Sequence, residues 1–205
     1  MRTTELAQGT EQVEQSSAPM PVMSAPEAIA TRASAVRLSE PGPTDAQIMT
    51  ILNAAVRAPD HGRLTPWRIV VIEGAAREKF GQALAVHHKS ISPDSDDKRL
   101  KQEADKAFRA PAIIAVAARV VDHAKIPAAE QIFATAAAIQ NMLLAAHSIG
   151  LGARWRTGSA SRDPAVRAAI GFQERDVIVG FVYVGTVDGS AKPRHVDVTR
   201  LVSWL

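Results

Sequence analysis

The sequence predicts an α+β or α/β sandwich, and three observations predict it. Runs at 67–74, 111–120 and 176–187 are dense in Val, Ile and Ala, as buried strands are. Ile48, Ile51, Leu52, Ala55 and Val56 recur at helical spacing and form one apolar stripe. Strands and helices alternate irregularly, with no internal repeat. The 205 residues are 46% hydrophobic and 22% charged, enough to build the core of one domain or at most two small ones.

Each element has its own signal. Residues 1–26 are polar, rich in Ser, Thr, Gln and Pro, and carry net −2, which leaves +5 on residues 27–205. The segment reads as a disordered tail without the apolar core of a signal peptide, and a cytoplasmic protein is expected. Ser24 and Glu27, then Thr44 and Gln47, stand at capping-box spacing and mark two helix starts. Pro59 stops the second helix. Strand 67–74 closes at Gly74, a helix follows from about 75 to 87, and the polar segment 90–99 leads into another near 97–108. Strand 111–120 comes next. Residues 127–148 are apolar nearly all round and rich in alanine, as a central helix is. The stretch 153–158 reads as strand or loop. Asp163 and Pro164 open a helix as N-cap and first residue, and Gly171 closes it before strand 176–187. Leu201, Val202, Trp204 and Leu205 are too apolar to be left in water, so something must cover them.

Several chemistries are excluded. The chain has no cysteine, hence no disulfide, thiolate metal site or cysteine nucleophile. Formal charge is +3 without a long basic run, so no nucleic-acid partner is expected. No apolar stretch is long enough for a membrane span. Residues 150–152 begin like a dinucleotide fingerprint, but Trp155 stands where the third glycine belongs, and a helix cap with a tight turn explains them. There is no P-loop, no G-x-S-x-G and no HExxH, and Asp94, Asp96 and Asp97 lack the rest of a calcium loop. No metal site is expected.

Three clusters remain. Arg32 and Ser34 follow the first helix and can present a guanidinium and a hydroxyl to one phosphate; the same residues also suit a solvated basic last turn. Arg57, His61 and Arg63 fall in a proline-bounded connection, a ligand clamp or an ordinary helix-to-strand loop. Glycines flank Trp155, Arg156 and Thr157, where backbone amides can approach an anion or a flat ring.

In order and spacing these clusters resemble the FMN-dependent nitroreductase family, specifically its small single-domain bacterial NAD(P)H branch. The resemblance rests on Arg32-Ala33-Ser34 through Leu38, then Glu40-Pro41-Gly42-Pro43-Thr44. It continues through Arg57-Ala58-Pro59-Asp60-His61 with Pro66-Trp67, and through Trp155-Arg156-Thr157-Gly158. Pro127, Glu130, Gln131 and the strand at 178–186 are also similar, and the likeness covers about 28–187.

The resemblance implies an α+β domain over 27–205, with a central mixed or antiparallel sheet wrapped by helices, in an intertwined homodimer. It implies FMN in the dimer interface. Arg32, Ala33 and Ser34 fall at its phosphate end, Arg57 and His61 where the other chain approaches, and Trp155, Arg156 and Thr157 complete the surface. Ala145, Ala146, His147, Ser148, Ile149 and Gly150 match a segment associated with NAD(P)H. Ala33 stands where the family has a second Arg, so Arg37 or Arg156 would have to substitute. The implied activity is ping-pong, two-electron reduction of nitroaromatics, quinones or related small-molecule acceptors by NAD(P)H, with no side chain named as catalytic. Two alternatives remain open: another flavoenzyme on the same scaffold, for flavin cleavage or reductive dehalogenation, and a non-catalytic flavin-binding protein.

Overall fold

A five-stranded antiparallel sheet organises the chain in the computed structural model, which describes residues 23–205. The tail expected over 1–26 therefore lies almost wholly outside the described residues. The described chain enters a helix two residues before that boundary, at α1 (Ala25–Thr31), with the Ser24 hydroxyl accepting from the Glu27 amide.

The strands are β1 (Arg37–Ser39), β2 (Trp67–Glu73), β3 (Ala112–Arg119), β4 (Gly152–Arg156) and β5 (Asp176–Asp188). β3 lies between β2 and β5, and the far side of β5 pairs first with β4 and then with β1. The ambiguous 153–158 stretch is thus a strand, and every pairing is antiparallel.

Helices cover both sheet faces. α2 (Asp45–Ala55) and α5 (Ala128–Ser148) place Ile48, Ile51, Ile139 and Met142 against Ile114, Val116, Val182 and Val184. On the other face, α3 (Ala76–Ile91) and α6 (Pro164–Ala169) set Phe80, Leu84 and Val166 against Ile113, Ala115, Phe181 and Tyr183. Alternate β3 residues therefore enter opposite cores, which is why an antiparallel strand reads as an unbroken apolar run. α4 (Asp97–Ala104) continues into a 3-10 turn at Asp105–Phe108, so the predicted helix over 97–108 is one α segment and one tighter turn.

Local chemistry sets the element ends. Thr44 and Gln47 make both bonds of the capping box. α2 ends at Ala55, ahead of Pro59, and α3 runs four residues beyond the expected end, to Ile91. Asp163 caps α6 through the amides of Ala165 and Val166, and Gly171, at φ +85°, follows its C-terminus. Gly150, at φ +81°, ends α5 as the helix-cap explanation requires. Beyond Asp188 the chain makes only a 3-10 turn at Val198–Arg200, and Leu201 and Trp204 stay 74% and 93% exposed. Among the described residues, nothing covers this apolar end. Among the described residues no helix is long and apolar enough to cross a membrane, and no group of acidic and histidine side chains could hold a metal.

Candidate functional site

β5 sets the segment that carries the first cluster beside the start of β4. Because β1 and β4 share one side of β5, the segment after α1 lies along the start of β4. The Ala35 amide donates to the Ala153 carbonyl at 3.2 Å, and Arg154 Nη1 donates to the Ala35 carbonyl at 3.4 Å. Arg32 ends α1, its amide bonded to Ala28 and its backbone already extended. Its side chain lines a cavity of about 290 Å³ with Ala33, His147, Gly152 and Ala153. Arg32 Nη1 is buried there with no partner among the described residues. An unpaired buried guanidinium nitrogen is costly, and an anion in the cavity would satisfy it. Ala33 adds no donor, and Ser34 is exposed beside it. His147 Nε2 donates to the Thr31 hydroxyl at 2.8 Å, since that hydroxyl spends its own proton on the Glu27 carbonyl.

The third cluster forms the exposed side of β4. Trp155 lies across β5, its Nε1 donating to the Val179 carbonyl at 3.2 Å. Gly180 makes that possible: a Cβ at this position would collide with the indole. Arg156 points to the other face, 5.5 Å from the centre of the Tyr183 ring. Burial, Arg154 and Arg109 all oppose its charge and hold its pKa below the ordinary arginine value. Arg156 lines two cavities, one of about 410 Å³ with Arg37, Arg109 and Arg154, and one of about 330 Å³ with Thr157. The unpaired buried Arg32 Nη1 suits a phosphate, and Arg156 with Arg109 and Arg154 offers positive charge in a separate cavity that meets the first at Ala35, so the residues fit the anionic end of FMN at Arg32.

The second cluster stands apart. Arg57 follows α2 and lines an open cavity of about 350 Å³ with Asn141, Ala145 and Ser148, away from Arg32 and Arg156. His61 sits in a 3-10 turn at His61–Arg63, its Nδ1 2.6 Å from Glu130 Oε2. Gly62, at φ +72°, allows that turn to pass Ile126. Asp60 is occupied by the Thr65 amide, and buried Gln131 bonds both backbone groups of Val121, so these motif residues hold loops in place. The 145–150 segment is divided: Ala145 and Ser148 face Arg57, His147 faces Arg32, Ala146 is buried, and Ile149 and Gly150 end the helix. The three clusters thus line separate cavities in the described chain: Arg32 and Ala33 with Gly152 and Ala153, Arg156 and Thr157 with Arg109, and Arg57 with Asn141.

Sequence reasoning missed Arg109, which lines both Arg156 cavities, and Lys106, Arg99 and His87, which line the 330 Å³ cavity. They lie on α3, α4 and the following turn, and no local spacing links them to residue 156.

Known proteins resemble the chain in sequence and fold. YdjA of Escherichia coli K12, provisionally named an NAD(P)H nitroreductase, is 43% identical over 164 residues, 80% of this chain and 88% of its own. A nitroreductase-like family protein from Bacillus cereus superposes with a TM-score of 0.79 at 25% identity, over 92% of this chain and 99% of that one. NfnB of Sphigopyxis sp. strain HMH, described as an FMN and NADPH-dependent nitroreductase, shares the fold at a TM-score of 0.70 and 19% identity, over 89% of this chain and 99% of its own. The Nitroreductase family model matches residues 29–186. Matched by that model over most of its length and 43% identical to YdjA, the chain belongs to the Nitroreductase family.

Proposed function

We propose that the protein is an FMN-dependent NAD(P)H oxidoreductase that works as a homodimer. The observation that carries this reading is the unpaired, buried Arg32 Nη1 in a cavity adjoining β4. YdjA's name and NfnB's stated dependence on FMN and NADPH support it. Arg32 and Ser34 hold the phosphate, and Arg156 adds a second cation where Ala33 offers none. Trp155 and Thr157 border the ring. Arg57 and His61 serve the partner's site, as the family resemblance implies.

When bound, FMN supplies two-electron chemistry, taking hydride from NAD(P)H and passing it to a nitroaromatic, quinone or related acceptor. The protein's part is position and charge. Arg156 and Arg109 favour negative charge developing beside them, and the His61–Glu130 pair fixes one imidazole face. Donor and acceptor use one space in turn, so kinetics are ping-pong. A cytoplasmic location belongs to the same reading.

Purified protein should be yellow and should bleach under anaerobic NAD(P)H. A nitroaromatic or quinone should restore the colour, and double-reciprocal plots should be parallel. Colourless protein that takes up no added FMN would end this reading.

A further inference from the structure

Beside Arg109 and Arg156, which the flavin reading also uses, Ser159 and His87 line the 330 Å³ cavity, and with Asp163 behind them they make a constellation that neither that reading nor the family motifs use. β4 ends at Arg156, the chain turns sharply at Gly158 with φ +127°, and Ser159 opens a 3-10 turn at Ser159–Arg162. A strand, a glycine turn and a short helix thus present Ser159 at an exposed corner. Its Oγ is 2.9 Å from His87 Nε2. His87 Nδ1 is 2.6 Å from Asp163 Oδ2. The His87 and Asp163 side chains are 9% and 16% exposed.

The direction of the two bonds follows from their chemistry. Burial raises the Asp163 pKa, but the bonds from His87 and from the amides of Val166 and Ala165 outweigh it and hold the carboxyl below the ordinary aspartate range. Ionised, Asp163 can only accept, so the proton sits on His87 Nδ1. In the neutral imidazole Nε2 is then an acceptor, and Ser159 donates its hydroxyl proton to it. This is the nucleophile, base and orienting-group order that recurs on unrelated folds and is recognised by geometry.

We propose that Ser159, His87 and Asp163 form a nucleophilic triad that hydrolyses small anionic esters. The cavity sets the substrate class. Phe181, Leu84 and Ile91 give it apolar walls. Glu103 pairs with Arg99 and Lys106, while Arg109 and Arg156 face the space with no carboxylate partner among the described residues. An ester of phenyl size carrying a carboxylate or phosphate fits both features.

The steps balance with water as co-reactant. Ser159 Oγ bonds to the ester carbon as its proton passes to His87 Nε2. The carbon–alkoxy bond breaks, and the alcohol leaves with that proton. Water then gives a proton to His87 and its oxygen to the acyl carbon, releasing the acid and returning the proton to Ser159. Arg109 and Arg156 offset the negative charge on the carbonyl oxygen. Ser159 and His87 are the catalytic residues, and Asp163 is a positioning residue.

The test uses the full chain without NAD(P)H, with and without added FMN because both readings use Arg156, so ester turnover by the flavin-free protein is read separately from the flavin reading. Wild type should hydrolyse 4-acetoxybenzoate, and phenyl acetate about 10-fold less efficiently. Ser159→Ala and His87→Gln should each lose about 100-fold or more in kcat/KM. Ser159→Ala should keep its melting temperature and its NAD(P)H-dependent turnover. Phenylmethanesulfonyl fluoride should modify wild type within tryptic peptide 157–162, with fragmentation placing the adduct on Ser159. Ester turnover unchanged in Ser159→Ala overturns the proposal, as does an adduct that is absent or sits on Ser161. Equal rates on the charged and neutral esters overturn the anionic substrate class.

Discussion

Replacing Arg32 with alanine separates cofactor affinity from the stability of the unliganded protein. Arg32 Nη1 is buried without a partner, so the unliganded fold bears an unmet donor that a phosphate would satisfy. A hydrogen bond to a charged group contributes about 1.5–3 kcal/mol, so the variant should bind FMN roughly 10- to 150-fold more weakly. Removing the unmet donor relieves about 1–3 kcal/mol of desolvation. Loss of the packed side-chain stem offsets this, and unliganded stability should change by less than about 1 kcal/mol. Thermal unfolding reads both quantities. FMN at about 100 times the wild-type Kd stabilises wild type by about 2.7 kcal/mol, but the variant by only about 0.3–1.4 kcal/mol. At roughly 2–4 °C per kcal/mol for a chain of this size, the FMN-induced rise should drop from about 5–11 °C to about 1–6 °C. Equal FMN-induced shifts in wild type and variant would refute the assignment of Arg32 to the phosphate. A large fall in unliganded melting temperature would refute the unmet-donor argument.

Three further outcomes are expected. Gly180→Ala sets a methyl against the Trp155 indole and should cost about 1–3 kcal/mol in chemical denaturation, with a change in tryptophan emission. Asp176 is gripped by two bonds from Arg119 and one from the Gln173 amide; the Arg119 bond chiefly lowers its pKa, against the opposing effect of burial. Its contribution is therefore complete above the unfolded carboxyl value, about pH 4, and is lost as pH falls through the lower folded value. Asp176→Asn should be about 2–3 kcal/mol less stable at pH 7, and urea titrations should show that deficit narrowing below about pH 4. Sedimentation at micromolar concentration should give about 44 kDa, twice 21.9 kDa, because an uncovered Trp204 and Leu201 need a partner surface. A 22 kDa species that still binds FMN tightly would overturn the shared site.

Local chemistry was the legible part of the fold. The capping box at Thr44 and Gln47, the Asp163-Pro164 start and the Gly171 stop each act within four residues of chain, and each appears in the structure. The three strong strands were legible because burial on both faces leaves them almost wholly apolar. β1 was not: three residues, Arg37–Ser39, become a strand only because β5 offers an edge. α3 overruns its expected end because His87, polar by type, is buried against Asp163 from 76 residues away and keeps that turn packed. The same limit applies to the site. Motif spacing nominates Arg32 and Arg156 as candidates, whereas Arg109 and the Ser159–His87–Asp163 contacts depend on how α3 and the turn after α4 lie against β4 and β5.

The double pairing on one side of β5 also bears on the order of assembly. Arg32 and Arg156 are far apart in sequence, and neither is on β5, yet β1 and β4 both pair with that strand, and beyond it, among the described residues, only Ala35 bonds directly to β4. β5 comes after every candidate ligand as the chain is synthesised. A chain halted at residue 175 would carry all of those ligands and have no template to align them. Flavin capture should therefore be a late event in the protein's biogenesis, possible only once a segment that supplies no ligand has joined the sheet.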